Sequence, residues 1–264
     1  MELGLSGRGC VVTGASRGIG RATARMLSEA GASVLLVARD EERLAEAVAE
    51  AGRAGGSAAG LALDVTDPDA GERIRAAGEP IGFDVLVNNA GTAAWRDLDD
   101  VPDEDWRAAF ELNVIAPKRL MSALIPAMAE RGWGRVVNVS STAGKRPSAM
   151  MAEYSVAKAA QLSLSRLYAD RFAGAGVLVN AICPGPVRSE MWMEPGGLLD
   201  QSRDLADLAS REEALAVAGS KRPIGRLAEV DEIAGAIAFL CSERASYVSG
   251  AAWSVDGGTV QVII

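Results

Sequence analysis

The sequence has 264 residues, 49% hydrophobic and 23% charged, which suffices for a sizeable core in one large domain or two small ones. The formal net charge of −8 is spread along the chain. This argues against nucleic acid or an anionic membrane as a partner, because both attract basic surfaces. The complete lack of histidine excludes Ser-His-Asp triads, histidine-based zinc sites and histidine acid/base pairs. We expect no metal site.

The three cysteines, Cys10, Cys183 and Cys241, cannot all pair with one another, and two lie inside apolar runs. We therefore expect buried free thiols in a reducing compartment. The first residues show no basic segment followed by an apolar stretch, so we expect no signal peptide. No apolar run approaches the ~20 residues of a membrane span. These features predict a cytoplasmic protein.

Short apolar runs alternate with longer amphipathic ones along the chain. "CVVTG" (10–14) predicts a strand ending in glycine, and "IGRATARMLSEAG" (19–31) predicts a helix that Gly31 ends. "SVLLVA" (33–38) predicts a second strand, and residues 40–55 a second helix. Five further strands are predicted at "LALDV" (61–65), "DVLVNNAG" (84–91), "RVVNVSS" (135–141), "VLVNAICPG" (177–185) and "AWSVDGG" (252–258).

Long helical patterns cover residues 103–131, 154–174 and 229–241. Strands that mostly alternate with helices predict an α/β fold with parallel strands, right-handed crossovers and helices on both faces of the sheet. No internal repeat or linker divides the chain, so we predict one domain, 1–264. Residues 186–222 interrupt the alternation just after a strand ends. Long inserts at such places are typical of lids, and we predict a substrate lid here.

The first strand–helix turn reads Thr13-Gly14-Ala15-Ser16-Arg17-Gly18-Ile19-Gly20. Its glycines allow a tight turn and a close approach of a pyrophosphate, which the amides at the helix N-terminus favour. A glycine-rich turn of this kind can also be purely structural. Its place between a strand and a helix favours a dinucleotide-binding site over that alternative.

The end of the second strand indicates which dinucleotide is bound. An acid there recognises a ribose 2′-hydroxyl, whereas an arginine accommodates a 2′-phosphate. Ala38 stands at the acid's usual place and Arg39 follows it, while Arg17 of the glycine loop is placed to reach the same phosphate. These residues favour NADP(H). Asp40, one or two positions late, leaves NAD(H) as the alternative.

Taken together, the motifs of the chain resemble those of the short-chain dehydrogenase/reductase family, and within it the 3-oxoacyl-carrier-protein-reductase-like members. The likeness spans nearly the whole chain and rests on "TGASRGIG" (13–20), "LDV" (63–65), "NNAG" (88–91), Asn113, Ser141, "YSVAK" (154–158), "PGPVRS" (184–189) and "VDGG" (255–258). It implies a single doubly wound Rossmann-type domain with a seven-stranded parallel sheet. It also implies a nicotinamide cofactor, hydride transfer between a carbonyl and an alcohol, and a homotetramer or homodimer.

The resemblance implies four catalytic residues. Tyr154 would be the general acid/base, and Lys158 its partner and a ligand of the nicotinamide ribose. Ser141 would hold the substrate oxygen, and Asn113 would anchor a water leading to Lys158. Further cofactor contacts are implied for Asp64, Val65, Asn89, Ala90, Gly91, Pro184, Gly185, Val187 and Ser189.

The spacing of Tyr154 and Lys158 supports this assignment independently, because residues four apart on a helix share a face. A free tyrosine has a pKa near ~10, and bringing it to neutrality requires roughly 4 kcal/mol. One ammonium a few ångströms away can supply an amount of that order at an effective dielectric of ~20. We therefore predict that Lys158, helped by the charge of oxidised nicotinamide, lowers the pKa of Tyr154.

The substrate pocket is predicted only coarsely. Met151 and Trp192, together with Ser141 and Tyr154, would give a soft and mostly apolar site. The segment "AGAGVLVN" (173–180) lacks the basic residue that carrier-protein reductases of the family commonly place before this strand. That difference and the net negative charge disfavour an acidic carrier protein as the substrate's bearer.

The sequence therefore predicts an NADP(H)-dependent oxidoreductase acting on a ketone or secondary alcohol of an apolar small molecule. Two enzymatic alternatives remain, an NAD-dependent alcohol dehydrogenase of the same family and a 3-oxoacyl-thioester reductase. A third alternative is a cofactor-binding regulatory protein without turnover.

Overall fold

A computed structural model describes residues 2–79 and 82–261. Its centre is one sheet of seven strands in the order β3-β2-β1-β4-β5-β6-β7, and every neighbouring pair is parallel. The strands are β1 (Gly9–Thr13), β2 (Ser33–Ala38), β3 (Ser57–Ala62), β4 (Val85–Asn88), β5 (Gly134–Val139), β6 (Val177–Pro184) and β7 (Ala252–Val255). The predicted doubly wound α/β fold is confirmed.

Ten α-helices connect these strands and cover the sheet over the described ranges. They are α1 (Gly18–Glu29), α2 (Glu41–Arg53), α3 (Ala70–Ala77), α4 (Asp103–Phe110), α5 (Ala116–Glu130), α6 (Ala152–Phe172), α7 (Glu190–Met193), α8 (Leu198–Leu205), α9 (Arg211–Ser220) and α10 (Val230–Cys241). The part of the chain that the structure describes has no helix long and apolar enough to cross a membrane.

The core has two halves, one on each face of the sheet, because side chains alternate along every strand. On one face Cys10 and Val12 of β1 pack with apolar residues of α1, α2 and α10. On the other face Val11 packs with α3, α5 and α6. All three cysteines are buried and free, as predicted.

The strand order reverses between β1 and β4, the two neighbours that are not consecutive in the chain. In open parallel sheets, ligands bind where the order reverses, outside the carboxyl ends of the strands. The loops after β1 and β4 meet at this point. The topology alone therefore places the cofactor site beside the glycine loop.

Two predicted elements differ from the structure. The third strand is Ser57–Ala62 rather than 61–65, and Leu63 and Val65 are buried in the loop that follows it. The shift arises because β3 is an edge strand of small residues, so the apolar run marks a buried loop. The helix predicted over 103–131 is divided into α4 and α5 by a π-helical turn at Glu111–Ile115, a feature often found at functional sites.

The insert predicted at 186–222 contains three short helices, α7, α8 and α9. Leu198 and Leu199 of α8 are buried, so this segment is packed onto the body of the protein. Its role as a substrate lid stays a prediction.

Gly20 provides a test of how closely α1 must approach the sheet. A methyl group at Gly20 would overlap the carbonyl oxygen of Gly14 and lie 2.5 Å from Asn89 Nδ2. We expect Gly20→Ala to lower the free energy of unfolding by about 1–3 kcal/mol, as other overpacked sites do. A methyl group at Gly52 on α2 would meet no neighbouring segment within 4 Å. Gly52→Ala should therefore raise the free energy of unfolding by about 0.5–1 kcal/mol. Urea unfolding measures both, and equal effects would contradict the packing argument.

Candidate active site

A cleft of about 1510 Å³ lies at the carboxyl ends of the strands. Every site residue predicted from the sequence lines it except Gly20, which packs beneath the glycine loop. Met151 and Trp192 line its wall, and Trp95 joins them. The residues that sequence reasoning grouped are therefore brought together in one continuous site.

Thr13 joins the two loops at the point where the strand order reverses. Its Oγ1 accepts hydrogen bonds from the backbone amides of Asn89 (3.0 Å) and Ala90 (3.1 Å) and donates one to the Val87 carbonyl oxygen. The Asn89 side chain returns a hydrogen bond to the carbonyl oxygens of Thr13 and Gly14. In the sequence, Thr13 had no predicted role beyond membership of the motif.

The glycine loop fits a pyrophosphate. Gly14 and Gly18 have φ values of +63° and +55°, a conformation that favours glycine. A methyl group at Gly14 would lie 2.8 Å from the Ala90 Cα, so only glycine leaves both loops in place. The turn and the N-terminus of α1 thus present a narrow cradle of backbone amides to the cleft.

Asp64 and Arg39 face each other at the end of the cleft formed by β2 and β3. The Arg39 side chain is 80% exposed, and its Nη1 lies 3.4 Å from Asp64 Oδ2. Burial acts to raise the pKa of Asp64, but hydrogen bonds from Thr66 and the charge of Arg39 outweigh it and hold that pKa below its usual value. Asp64 is therefore a fixed anion, while Arg39 remains accessible.

Arg17 does not stand free in the cleft. Its Nη1 lies 2.8 Å from Glu194 Oε2, and the other oxygen of the same carboxylate lies 2.9 Å from Arg43 Nη1. Glu194 belongs to the insert, so it joins the insert to the glycine loop and to α2 at once. Neither pairing was predicted from the sequence, because Arg17 and Glu194 are 177 positions apart.

Tyr154 and Lys158 project from one face of α6, as their spacing predicted. The Lys158 Nζ lies 5.6 Å from the centre of the Tyr154 ring. Lys158 is only 2% exposed. Its Nζ donates to the Val139 carbonyl oxygen (2.7 Å) and to Gln161 Oε1 (3.3 Å). The end of β5 and the next turn of α6 thus fix the ammonium group.

Both serines line the cleft, but their hydroxyl groups make different hydrogen bonds. The buried Ser140 donates its hydroxyl to the Lys158 carbonyl oxygen (3.1 Å). Ser141 accepts a hydrogen bond from the Ala143 amide (3.1 Å) and lines the cleft. Gly144 packs on α6 so closely that a methyl group there would lie 2.9 Å from the Lys158 carbonyl carbon. This contact explains how residues distant in sequence converge.

Asn113 lies in the π-helical turn and is 1% exposed. Its Nδ2 donates to the Ala109 carbonyl oxygen (2.9 Å), but its Oδ1 is buried without a partner. A methyl group at Gly91 would lie 3.6 Å from Asn113 Oδ1 and 3.8 Å from Lys158 Nζ. The unused oxygen and the ammonium group therefore converge on Gly91, an arrangement that fits a bound water or a ribose hydroxyl.

The pKa values depart from the sequence-based prediction. Burial raises the pKa of Tyr154 to about 12, although Ser141 opposes the rise. Burial also lowers the pKa of Lys158 to about 7. The prediction that Lys158 lowers the pKa of Tyr154 is therefore wrong for the chain's own groups, because burial dominates and Lys158 does not contribute to the pKa of Tyr154. At neutral pH Tyr154 carries its proton and is suited to donate it.

The comparisons with known proteins agree with this geometry. A family model described as enoyl-(acyl carrier protein) reductase matches residues 14–260. The chain is 36% identical to the 3-oxoacyl-[acyl-carrier-protein] reductase FabG of Vibrio cholerae, covering 98% of this chain and 100% of that one. It is 38% identical to cis-4-hydroxycyclohexanecarboxylate dehydrogenase of Sinomonas cyclohexanicum, covering 97% of each.

Solved structures show the same architecture. L-sorbose reductase from Gluconobacter frateurii, complexed with NADPH and L-sorbose, superposes with a TM-score of 0.91 at 34% identity and full coverage of both chains. A putative NAD(P)-dependent gluconate 5-dehydrogenase from Beutenbergia cavernae with bound NADP has a TM-score of 0.87 at 34% identity, covering 99% of this chain and 100% of that one.

The buried ammonium of Lys158 predicts a pH-dependent cost to folding. Because its folded pKa is about 7 and an unfolded lysine titrates near ~10.4, the unfolded chain binds more protons across this window. Relative to Lys158→Met, the wild type should gain about 1.4 kcal/mol of stability per pH unit as pH rises from about 7 to about 10. Urea unfolding at fixed protein concentration measures the difference. The exposed Lys118, changed to Met, is the control and should give no such slope, and a flat difference for Lys158→Met would contradict burial as the cause.

Proposed function

Because the chain belongs to the short-chain dehydrogenase/reductase family of NAD(P)-dependent oxidoreductases, we propose that it transfers a hydride between NADP(H) and a ketone or secondary alcohol of an apolar small molecule. The observation that carries this proposal is the convergence of Tyr154, Lys158 and Ser141 in the cleft that begins at the glycine loop. An NAD-dependent alcohol dehydrogenase and a 3-oxoacyl-thioester reductase are the alternatives.

The proton chemistry follows from the site's own groups. A bound nicotinamide cofactor supplies or accepts the hydride. In the reducing direction Tyr154 donates its proton to the developing alkoxide, and the Ser141 hydroxyl donates a hydrogen bond to the same oxygen. The raised pKa of Tyr154 keeps it protonated at neutral pH, so the proton to be donated is present. Lys158 would return a proton to the tyrosine through a water that accepts no proton from Asn113 but donates a hydrogen bond to its unpartnered oxygen.

The choice of NADP(H) is supported by Arg39 and by the NADP-bound structural relatives. Arg39 is exposed and only loosely paired, so a 2′-phosphate can reach it. Arg17 and Arg43 hold Glu194 at hydrogen-bonding distance. An anion that binds either of them has to replace this carboxylate.

The apolar substrate is supported by the aromatic and sulfur-containing side chains on the cleft wall, Trp95, Met151, Met191 and Trp192. A thioester reductase is supported by the FabG relatives. A panel of ketones, secondary alcohols and 3-oxoacyl thioesters, scored by absorbance of the reduced nicotinamide, separates the two. The regulatory alternative predicts no turnover with any of them.

A homotetramer or homodimer is supported by exposed apolar side chains on α6 and on the edge strand. Val156, Leu167 and Trp253 are 43%, 66% and 36% exposed. β7 pairs only with β6 in the described ranges, and unpaired strand edges commonly join a neighbour or are covered. A cytoplasmic location is supported by the three free cysteines.

Tyr154→Phe tests the acid/base assignment. The change removes only the hydroxyl, so we expect turnover to fall by roughly three orders of magnitude or more, at the upper end of general acid/base contributions, while the Kd for NADPH stays near the wild-type value. Steady-state assays measure turnover, and quenching of intrinsic fluorescence on addition of NADPH measures the Kd. Tyr168→Phe removes a hydroxyl that bonds to Ser122 on α5 instead, so it should leave turnover unchanged. Retained turnover in Tyr154→Phe would overturn the assignment.

Arg39→Ala tests recognition of the 2′-phosphate. Since a hydrogen bond to a charged group contributes about 1.5–3 kcal/mol, we expect the KM for NADPH to rise by roughly tenfold or more. The KM for NADH should change by less than about twofold, because that cofactor has no 2′-phosphate. Arg53→Ala, at the exposed end of α2, is the control for an unspecific loss of charge. Equal effects on both cofactors would contradict the proposal.

A further inference from the structure

Leaving aside Lys158 beside Tyr154, the positive side chains of the cleft fall into two groups, those with a carboxylate partner, which include Arg96 with Asp105, and those without one. At the end formed by β2 and β3, each cleft-lining arginine pairs with a carboxylate: Arg17 and Arg43 with Glu194, and Arg39 with Asp64. Elsewhere in the cleft, no salt bridge among the described residues involves Arg146, Lys221 or Arg222. The protein as a whole carries an excess of acids, so three unpaired cations in one cleft are a specific local feature.

Residues next to two of these unpaired cations contact β7 or the residues that follow it. Residues that follow β7 hold the chain next to Arg222: the Ile224 amide donates to the Gly257 carbonyl oxygen (3.2 Å). Lys145, which precedes Arg146, donates to the Ala252 carbonyl oxygen of β7 (2.6 Å). β7 is at the opposite edge of the sheet from β3. An anion bound here would therefore belong to the substrate.

Arg222 is the least compensated of the three. Its Nη1 donates to the Ala218 carbonyl oxygen at the end of α9, while its Nε is enclosed without a hydrogen-bond partner. Burial lowers the pKa of Arg222, and no described carboxylate acts to raise it. A partly buried guanidinium without a counterion is costly unless a ligand completes it. A planar guanidinium is also well shaped to bind a carboxylate or phosphate.

The described lining of the cleft includes six carboxylates, and none of them forms a salt bridge with Arg146, Lys221 or Arg222: Asp40, Asp64, Asp105, Glu111, Glu153 and Glu190. Of these, Glu153 has an oxygen, Oε2, that is buried without a partner. It does not influence the pKa of Arg222, so it does not serve as the counterion of that arginine. A bound anion is favoured on the Arg222 side of the cleft and disfavoured beside Glu153.

We propose that Arg222 binds an anionic group, a carboxylate or a phosphate, on an otherwise apolar substrate, with Arg146 and Lys221 adding to the positive field. This inference rests on the proposed function and narrows its substrate class. The ketone or alcohol lies at Tyr154 and Ser141, and the anionic group lies toward β7. The substrate is thus an oxo or hydroxy acid, or a thioester whose carrier bears a phosphate.

The test uses unreactive probes, so it does not depend on turnover. Cyclohexanecarboxylate, its neutral amide and 4′-phosphopantetheine are titrated by calorimetry into the NADPH-loaded enzyme. We expect one of the two anions to bind at least tenfold more tightly than the amide. Tighter binding of cyclohexanecarboxylate indicates a substrate carboxylate, and tighter binding of 4′-phosphopantetheine indicates a phosphate. Arg222→Gln should abolish this preference, and Arg222→Lys should restore part of it.

Arg226 provides a matched control, since it lies on the same connection but pairs with Glu232 at 2.7 Å. Arg226→Gln should keep the anion preference. No preference in the wild type, or a preference that survives in Arg222→Gln, would overturn the inference. A change in oligomeric state of Arg222→Gln, measured by light scattering, would also overturn it and assign Arg222 to an interface. Failure of the proposed function shows separately, as absence of turnover across the carbonyl panel.

Discussion

The site depends on one buried ammonium group. Lys158 is held by the Val139 carbonyl oxygen at the end of β5 and by Gln161 one turn along α6. Burying this charge is unfavourable, and the closely packed turn at Gly144 and the Ser140 hydroxyl keep it in place. The fold thus gives up stability for an arrangement that leaves a protonated tyrosine beside a lysine that titrates near neutral pH. This arrangement fits the proposed proton chemistry in a chain without histidine.

The strand order places the different charged groups of the cleft one after another across the sheet. The glycine loop after β1 lies at the reversal point, the paired arginines lie toward β3, and the unpaired cations lie toward β7. Asp64, a fixed negative charge, is held at the β3 end by hydrogen bonds from Thr66. Electrostatic complementarity orients a ligand more than it tightens its binding. The asymmetric charges fit the proposal that cofactor and substrate bind in one direction.

The fold was predictable because continuous apolar runs identify buried parallel strands, and only the edge strand β3 was displaced by its small residues. The grouping of site residues was predictable from motif order, although their individual roles stay predictions. Burial was not readable from spacing, and for that reason the direction of the Tyr154 pKa was wrong. Pairings between distant segments were also missed, most clearly those of Arg17 and Arg43 with Glu194.

Through Glu194, the insert supplies the negative charge that pairs with Arg17 of the glycine loop. Both oxygens of one carboxylate pair with arginines, one in the glycine loop and one on α2. An incoming phosphate that binds either arginine has to displace this carboxylate, so the charge beside that arginine changes by less than the charge of the ligand. Glu194 directly follows α7, so the same carboxylate links the nucleotide end of the cleft to the insert.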